Sequence, residues 1–423
     1  MSISNANGGL AKTHSYSWME WSQVLEDWKD LHSISPHASF FNSPPWVGTW
    51  LEVFGADLQA TIYVLKVLGS PRAAWILVRR TQHWHRIFSM RCVFLGTAGE
   101  DEADSACVEY NGFVCHPEYY KDAVSALWTT VNQSPWDEFI LKGVQPEVAC
   151  RIIGDRRASE GLVPTFGINL DSVRGHGDYL KHLSHNTRQQ LRKSFRFYGE
   201  RGPLNVETAR QPGEAIAMLD ELAGLHQETW RKRGQPGVFS SFRFTDFHRR
   251  LITSFPNNVQ LLRATAGNQT IGLLYSLVSN STLYTYQSGF AYEEGQNNAR
   301  PGLVVTALAI EHCLSHTTLG YFDLMAGTGR YKKSLSTVQS QIGWYVVFGG
   351  TLRSKLKELL KRAAGRSRLI IGGKVASPQG ADPLPAAEKA STESASLTPS
   401  GTESGIHLHH AGEDASLSPP HKR

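Results

Sequence analysis

The chain has 423 residues and a mass of 46.9 kDa, which is too long for one ordinary hydrophobic core and predicts two domains. Apolar residues make up 41% of it, and the 11 Trp are ample for well-packed cores. The 43 Lys and Arg against 38 Asp and Glu leave a net charge of +5, a mild excess that permits anionic ligands without demanding nucleic acid. We therefore expect no DNA partner.

Cysteine usage and the apolar pattern indicate the compartment. The five cysteines are an odd number without a C-x-x-C pair, which argues against a disulfide framework or a zinc site and for a reducing environment. The first fifteen residues have no basic region followed by an apolar core, and no apolar run approaches the ~20 residues needed to cross a bilayer. We expect a cytoplasmic protein with no metal site.

Helical and strand periodicities alternate along the first half of the chain. They predict helices at 18–31 and 46–54, from residue 117 and around residue 148, and strands at 58–67, 73–79, 87–95, 107–114, 139–142 and 163–170. The result is a series of helices and strands typical of an α/β unit.

A basic helix follows the first half. Asn186 or Thr187 can cap it, and Gln189 or Gln190 can close a capping box. The arginines on one of its faces are either a solvated basic surface or a wall that recognises an anion above an active cleft. They are Arg188, Arg192 and Arg196.

The second half repeats the order of elements more clearly. It predicts strands at 204–209, 259–266, 270–278, 282–290, 320–325 and 341–348, and helices at 214–233, 244–255, 302–315 and near residue 331. The Gly267-Asn268 pair is a strong hairpin signal between two of these strands. Because both halves read β-α-α-β-β-β-α-β-α-β, or nearly so, we predict two copies of one α/β unit with a mixed sheet.

The C-terminal part divides into two predicted segments. Residues 351–364 form a basic amphipathic helix, which either docks on the preceding domain or makes a weak peripheral contact with anionic lipid. Residues 365–423 are rich in Ser, Pro, Gly, Thr and Ala and contain few large apolar residues, so they predict a disordered tail.

The segment Arg300-Pro301-Gly302 predicts an anion site at a helix start. The first N–H groups of a helix are unpaired and carry partial positive charge, which suits a pyrophosphate. Pro301 presets the helix entry, Gly302 allows close approach to the backbone, and Arg300 adds charge. A Pro-Gly pair also often marks a helix start that binds no ligand.

The second half resembles the GNAT acyltransferase fold, and its sequence motifs are similar to those of the CelD-like and FemAB-like branch. The residues that carry this resemblance are YQSGF at 286–290, the Arg-Pro-Gly helix start and FDLMAGTGRYKKS at 322–334. The resemblance implies two GNAT units in tandem, a degenerate one at 16–175 and an active one at 176–350. It also implies acetyl-CoA or another acyl-CoA as donor, although the usual phosphate loop Q/R-x-x-G-x-G/A is only partly present.

Acyl transfer to an amine needs a proton acceptor, an oxyanion site and a proton for the leaving thiolate. Asp323 is either the base, with a pKa raised by burial, or a cap on the following turn. Tyr331 can protonate the thiolate or be a half-buried aromatic, and Lys332 can bind an anion or be solvated. Glu293 and Glu294 are alternative bases.

Two neighbouring residues compete for a donor-binding position. Gln287 and Tyr286 should point in opposite directions on their strand, so only one can face the cleft, and we assign Gln287 to the donor site with Arg300 and Gly302.

The resemblance also implies an acceptor. It is a small-molecule or glycan-precursor amine, for instance an amino sugar in exopolysaccharide or cell-envelope biosynthesis. The alternatives are a FemAB-like aminoacyl transferase that uses charged tRNA and a catalytically silent binding protein of the same fold.

Overall fold

The computed structural model describes residues 11–84, 88–177, 179–296 and 298–368. Of the predicted tail, residues 369–423 lie outside this described part, whereas residues 365–368 complete the last helix and do not belong to a tail. None of the helices in the described ranges is long and apolar enough to cross a bilayer.

Each half of the chain contributes a series of strands to the fold. In the first half they are β1 (Ala11–Ser17), β2 (Thr61–Val67), β3 (Ser70–Trp84), β4 (Phe88–Leu95), β5 (Val114–Cys115), β6 (Glu138–Val144) and β7 (Ala158–Asn169). In the second half they are β8 (Leu204–Thr208), β9 (Val259–Ala266), β10 (Gln269–Ser279), β11 (Thr282–Phe290), β12 (Tyr321–Ala326) and β13 (Val338–Phe348). The predicted hairpin joins β9 to β10, and Gly267 adopts a φ of +56° in its turn.

Helices connect these strands in the predicted order, and several have proline in the first turn, where its missing N–H costs nothing. They are α1 (Trp21–Ile34), α2 (Pro44–Leu58), α3 (Tyr120–Val131), α4 (Pro146–Ile153), α5 (Leu170–His176), α6 (Tyr179–His182), α7 (His185–Gly199), α8 (Pro212–Lys232), α9 (Phe242–Ser254), α10 (Pro301–His316), α11 (Arg330–Leu335) and α12 (Leu352–Arg368).

A single mixed sheet runs through both halves. Its strand order is β1-β2-β3-β4-β6-β13-β7-β12-β11-β10-β9-β8, and β5 pairs with β3 outside this path. From the β1 edge the sheet contains strands of the first half as far as β6, and from the β8 edge it contains strands of the second half as far as β12. The two halves exchange their last strands in the middle of the sheet. The last strand of the second half, β13, lies between β6 and β7, and β7 lies between β13 and β12, all antiparallel. The predicted units at 16–175 and 176–350 are therefore not two separate sheets.

The two faces of this sheet have different cores. On β2, Ile62 and Val64 belong to one core while Tyr63 and Leu65 belong to another, as the alternation of a strand requires. The first core, which we call the shared core, receives α1 and α2 from the first half and α8 and α9 from the second. On the opposite face each half has its own core, with α3 and α4 over the first half and α7 and α10 over the second.

The structure differs from the predicted pattern at two places in the first half. Of the strand predicted at 107–114, only Val114 belongs to a strand, because Cys107 and Tyr110 have φ values of +53° and +48°, which extended backbone does not allow. Residues 107–113 form a loop that leads into the short β5. Conversely, β1 was not predicted. It is mostly exposed and is stabilised by backbone pairing with β2, so it does not need the alternating apolar residues that indicate a strand.

Helix α7 begins slightly earlier than predicted. Its cap is Ser184, whose hydroxyl oxygen accepts the backbone N–H of Thr187, so neither Asn186 nor Thr187 is the capping residue. The apolar face is buried, whereas Arg192 and Arg196 are exposed to solvent. This placement favours a solvated basic face over an anion-binding wall.

The exchange of strands predicts that the halves cannot fold apart. A chain that ends at residue 336 lacks β13, which leaves β6 and β7 without their common neighbour. We expect this variant to lose its cooperative thermal transition and to aggregate, as measured by circular dichroism and light scattering. A matched truncation that removes only 369–423 should shift the melting temperature by no more than a degree or two. A cooperative melt of the shorter chain near the full-length temperature would show that β13 is dispensable.

Candidate active site

The sheet opens between β11 and β12. Their parallel pairing spans three residue pairs and ends with Tyr284 opposite Asp323. Beyond this point β11 continues to Phe290 and β12 to Ala326, and the pairs that the structure describes for these two strands do not extend there. Parallel strands that separate within a sheet leave a gap through which a ligand can reach both faces.

A β-bulge lies on β11 beside this gap. The register with β10 shifts between Tyr275 and Ser276, which leaves Tyr286 as the extra residue. Gln287 stands directly opposite Tyr275, and the ring of Tyr286 also lies near Tyr275, with centroids 5.9 Å apart. Because a bulge interrupts the alternation of side chains, the prediction that Tyr286 and Gln287 must face opposite ways is wrong.

Asp323 is a buried carboxylate at the point where the strands part, with 5% of its surface exposed. Burial raises its carboxyl pKa to about 6, although hydrogen bonds from Tyr110 and from the Met325 backbone and the charge of Lys332 act in the opposite direction. The Met325 N–H donates to Oδ1 at 2.6 Å. Asp323 thus has the raised pKa of the first predicted alternative, whereas its bond to Met325 lies within β12 and does not cap a following turn.

Two residues from the loop of the first half lie beside Asp323. The carboxylate of Glu109 accepts the backbone N–H of Ala326 at 2.9 Å. Burial, together with the nearby charge of Asp323, raises the Glu109 carboxyl pKa to about 7. The hydroxyl of Tyr110 donates to the Asp323 carboxylate. The structure therefore pairs two acids whose pKa values lie near neutrality.

Lys332 on α11 provides the compensating positive charge. Its ammonium donates to the backbone carbonyl of Ala326 at 2.8 Å, while Glu109 accepts the N–H of the same residue. The charge of Lys332 lowers the pKa of both carboxyl groups. Lys332 and the two acids therefore form one cluster around the end of β12.

This acidic cluster and helix α10 lie on opposite faces of the sheet. Asp323 pairs with Tyr284, whose side chain belongs to the shared core, whereas the buried residues of α10 belong to the core of the other face. The gap between β11 and β12 connects the two faces. A group bound at α10 can therefore reach the carboxylates only through the gap.

Helix α10 begins beside the end of β11. A Cβ atom added to Gly302 would lie 3.2 Å from the ring of Phe290, so packing as well as phosphate access disfavours a large side chain here. Gly302→Val is consequently a poor probe of phosphate binding. The exposed Arg300 precedes the helix and donates to Gln190 of α7 at 2.7 Å. The helix start and Arg300 remain candidates for an anion site.

Tyr331 lies on the α10 face. It packs against the core of that face, and its ring centroid is 6.1 Å from that of Phe290. Of the three predicted catalytic residues, the structure therefore groups Asp323 with Lys332 and places Tyr331 on the side of the donor helix. Its role in protonating a thiolate stays a prediction.

The two alternative bases are engaged in ion pairs near the surface. Glu293 is paired with Arg201, which lowers the pKa of the Glu293 carboxyl. Glu294 is highly exposed and lies 3.4 Å from the ammonium of Lys232. A base that accepts an amine proton near neutral pH needs a raised pKa, so the geometry favours Asp323 and Glu109 over this loop.

The corresponding gap in the first half is closed. Strands β4 and β6 are also parallel, and their pairing ends with Phe94 opposite Ile140. Beyond this pair the backbone N–H of Asn111 donates to Gly143 at 3.0 Å and its side-chain amide donates to Leu95 at 2.9 Å. The chain itself thus bridges the ends of these two strands. This arrangement favours the second half as the donor site.

Comparison with known proteins agrees with this geometry. Residues 185–333 match the family described as Acetyltransferase (GNAT) domain. The matched segment includes α10, Asp323 and Lys332, and it excludes Glu109 and Tyr110. No curated protein sequence matches the chain.

Solved structures resemble the whole described fold. A crystal structure of FemX aligns with a TM-score of 0.52 and 11% identity, covering 80% of this chain and 98% of FemX. A tandem GNAT protein from the clavulanic acid biosynthesis pathway has a TM-score of 0.40 and 8% identity and covers 81% and 99%. A GCN5-related N-acetyltransferase from Anabaena variabilis has a TM-score of 0.32 and 10% identity and covers 80% and 73%. Residues 185–333 are therefore similar to a GNAT acetyltransferase domain, and the chain shares the overall fold of FemX.

Sequence reasoning missed Glu109 and Tyr110. Both lie in the segment that the apolar pattern assigns to a strand. The Asn111-Gly112 pair inside that segment is a turn signal, and it indicates a loop in spite of the apolar residues around it. Their proximity to Asp323 arises only in the folded chain, because more than two hundred residues separate them.

The raised pKa of Asp323 predicts a pH-dependent stability. A carboxyl whose folded pKa is about 6 against an ordinary 3.8 stabilises the fold at low pH, and this contribution is lost as pH rises from about 4 to 6. Asp323→Asn should therefore stabilise the protein at pH 8 by up to about 3 kcal/mol and leave it nearly unchanged at pH 4. Urea unfolding at the two pH values measures the difference.

The exposed residue Asp30 supplies the control, since Asp30→Asn should have little effect at either pH. Equal effects of Asp323→Asn at pH 4 and pH 8 would contradict the raised pKa.

Proposed function

We propose that this protein is a GNAT-fold acyltransferase that moves an acyl group from an acyl-CoA thioester to an amine. The observation that carries the proposal is the gap between β11 and β12, which has a helix start on one face and two acids of near-neutral pKa on the other. The donor would bind on the α10 face and the acceptor on the face of Asp323.

The N-terminus of α10 suits the CoA pyrophosphate. Helix α10 is 16 residues long, so its first turn carries the partial positive charge of a full helix. Arg300 lies at this end, where its guanidinium can bind a phosphate. From here the pantetheine arm can enter the gap beside the bulge at Tyr286, where the strand register is broken.

The acidic cluster suits the proton transfer. An amine attacks only in its neutral form, so a base must take its proton, and a base is most effective when its pKa lies near the working pH. Glu109 is half-buried whereas Asp323 is almost fully covered and bound by Tyr110, so Glu109 is the better placed to meet an acceptor. Because the two acids interact, they titrate as a pair.

The chemistry is complete without another reactant. The amine nitrogen forms a bond to the thioester carbon while its proton passes to Glu109. The tetrahedral intermediate then collapses, the carbon–sulfur bond breaks, and the CoA thiolate leaves and takes up a proton. Tyr331, on the donor face, is the candidate for that final proton transfer, and the charge of Lys332 favours the ionised form of the two acids.

The class of acceptor rests on resemblance. Similarity to CelD-like proteins supports a small-molecule or glycan-precursor amine, such as an amino sugar of exopolysaccharide or cell-envelope biosynthesis. A panel of amino sugars and simple amines, assayed with acetyl-CoA and longer acyl-CoAs by release of free thiol, tests both the donor length and the acceptor.

The acidic pair predicts the pH profile of the reaction. With an acceptor from that panel, kcat/KM should rise with pH through about 6 to 7 as the two acids lose their protons. Glu109→Gln keeps the shape and the contact with Ala326 but removes the base, so kcat should fall by about 10²- to 10⁴-fold. Steady-state kinetics across pH 5 to 9 measures both effects.

Glu26→Gln, on the exposed surface of α1, is the control and should retain the wild-type profile. If Glu109→Gln keeps near wild-type kcat while Asp323→Asn does not, the proton acceptor is Asp323. Retention of activity in both variants would exclude this acidic pair.

The donor site predicts a specific loss of CoA affinity. Arg300→Ala should weaken CoA binding by about 1.5–3 kcal/mol if its charged hydrogen bond to phosphate forms. Isothermal calorimetry with CoA measures this loss. Arg249→Ala on α9, over the shared-core face, is the matched control and should bind CoA normally. Unchanged affinity in Arg300→Ala would remove the donor from the start of α10.

Charged tRNA is the donor under the second hypothesis. Thermal shifts with acetyl-CoA, longer acyl-CoAs and aminoacyl-tRNA separate the hypotheses, because a ligand that binds only the native state raises the melting temperature. A shift with tRNA and none with CoA would favour aminoacyl transfer. Ligand shifts without turnover of any acceptor would favour a binding protein.

A further inference from the structure

Helix α12 docks on the sheet through its polar side. Ser354 is 1% exposed, and its hydroxyl donates to the backbone carbonyl of Asp137. Lys357 donates to Glu138 at 2.8 Å, and Glu358 pairs with Arg157. The helix therefore docks on the preceding domain, which is one of the two alternatives that the sequence left open, and it does so through polar side chains.

The leucines of α12 point away from the protein. Leu352, Leu356, Leu359 and Leu360 are 84%, 46%, 62% and 36% exposed. Their spacing of four, seven and eight residues from the first places them in one stripe of the helix. Single exposed apolar residues are common on protein surfaces, but four in one helical stripe form a contiguous apolar patch.

Positive charge accompanies this apolar stripe. The sequence of α12 contains seven Lys and Arg and one Glu. Of these, Lys357 and Glu358 are used in docking, and Arg353 lies 4.0 Å from the carboxylate of the buried Asp137. The side chains of Arg353 and Lys355 are nevertheless exposed beside the leucines. The helix therefore presents an apolar stripe bordered by cations.

We propose that this leucine face of α12 binds the surface of an anionic lipid bilayer, with the helix lying in the plane of the interface. An interfacial helix of this kind buries its apolar side chains below the headgroups while its Lys and Arg contact anionic lipid. A second copy of the same face would bring two basic helices together, and their repulsion disfavours self-association. A neutral apolar groove would leave these charges without partners.

The location of α12 suits such a contact. It follows the end of β13, where Val347 pairs with Ala158, whereas the beginning of β13 pairs with Gly167 next to Asp323. Roughly 30–35 Å of strand separates α12 from the acidic cluster at 3.3 Å per residue. A bilayer bound at α12 therefore leaves the gap between β11 and β12 open. This binding does not depend on the proposed acyl transfer.

Vesicle binding of the full-length chain tests the proposal. The wild type should co-sediment with vesicles of phosphatidylcholine and phosphatidylglycerol, bind at least tenfold more weakly to pure phosphatidylcholine, and be released by high salt. The triple variant Leu352→Ser, Leu356→Ser, Leu359→Ser should lose at least tenfold in binding and keep its melting temperature. Lys355→Glu should weaken binding in the same direction.

Phe242→Ser is the matched control, because Phe242 is an equally exposed apolar residue on α9, and it should bind like the wild type. A wild-type chain that stays in solution with anionic vesicles overturns the proposal, as does unchanged binding of the triple leucine variant. Sedimentation velocity without lipid provides a further test. A dimer that the leucine substitutions convert to a monomer would assign the face to self-association instead.

Discussion

The antiparallel pairing of β7 with β13 holds the two halves of this protein in one sheet. Each of these strands is the last of its own half and lies inside the other half. On β7, Gly167 pairs with Val338 on one side and with Asp323 on the other. A Cβ atom at Gly167 would lie 2.1 Å from the hydroxyl of Tyr321, so only glycine allows this packing. A strand of the first half thus positions the carboxylate of the second.

The loop at 107–113 explains why the gap between parallel strands is closed in the first half and open in the second. Asn111 joins the ends of β4 and β6 and closes the gap of the first half. Glu109 and Tyr110, two residues and one residue before it, reach Ala326 and Asp323 beside the gap of the second half. One short segment therefore removes a binding gap from one copy and adds acidic and phenolic groups to the other. The two halves therefore contribute unequally to the region around Asp323.

The acidic cluster costs stability that an apolar site would not. Burial of Asp323 and Glu109 disfavours their charged forms, and Lys332 with two backbone N–H groups offsets only part of this cost. Such stored instability is typical of sites that need a group of shifted pKa. The extensive shared core of both halves supplies the stability that this cluster lacks, and its aromatic members Trp46, Phe247 and Tyr286 come from both halves.

The sequence by itself determined the order of elements, because hydrophobic periods and turn residues are local. Strands β9 and β11 have the predicted bounds, and α10 begins at the predicted Arg-Pro-Gly segment. The sequence pattern placed Asp323 at the end of a strand, whereas β12 continues past it to Ala326. The sequence did not determine the loop at 107–113, where positive φ values override an apolar pattern, or the bulge at Tyr286. Only the tertiary structure decided the exchange of β7 and β13, the meeting of Glu109 with Asp323, and which side of α12 is exposed. These features depend on contacts between residues far apart in the chain. A local sequence pattern does not indicate which distant residue will contact a strand edge, a carboxylate or a helix face.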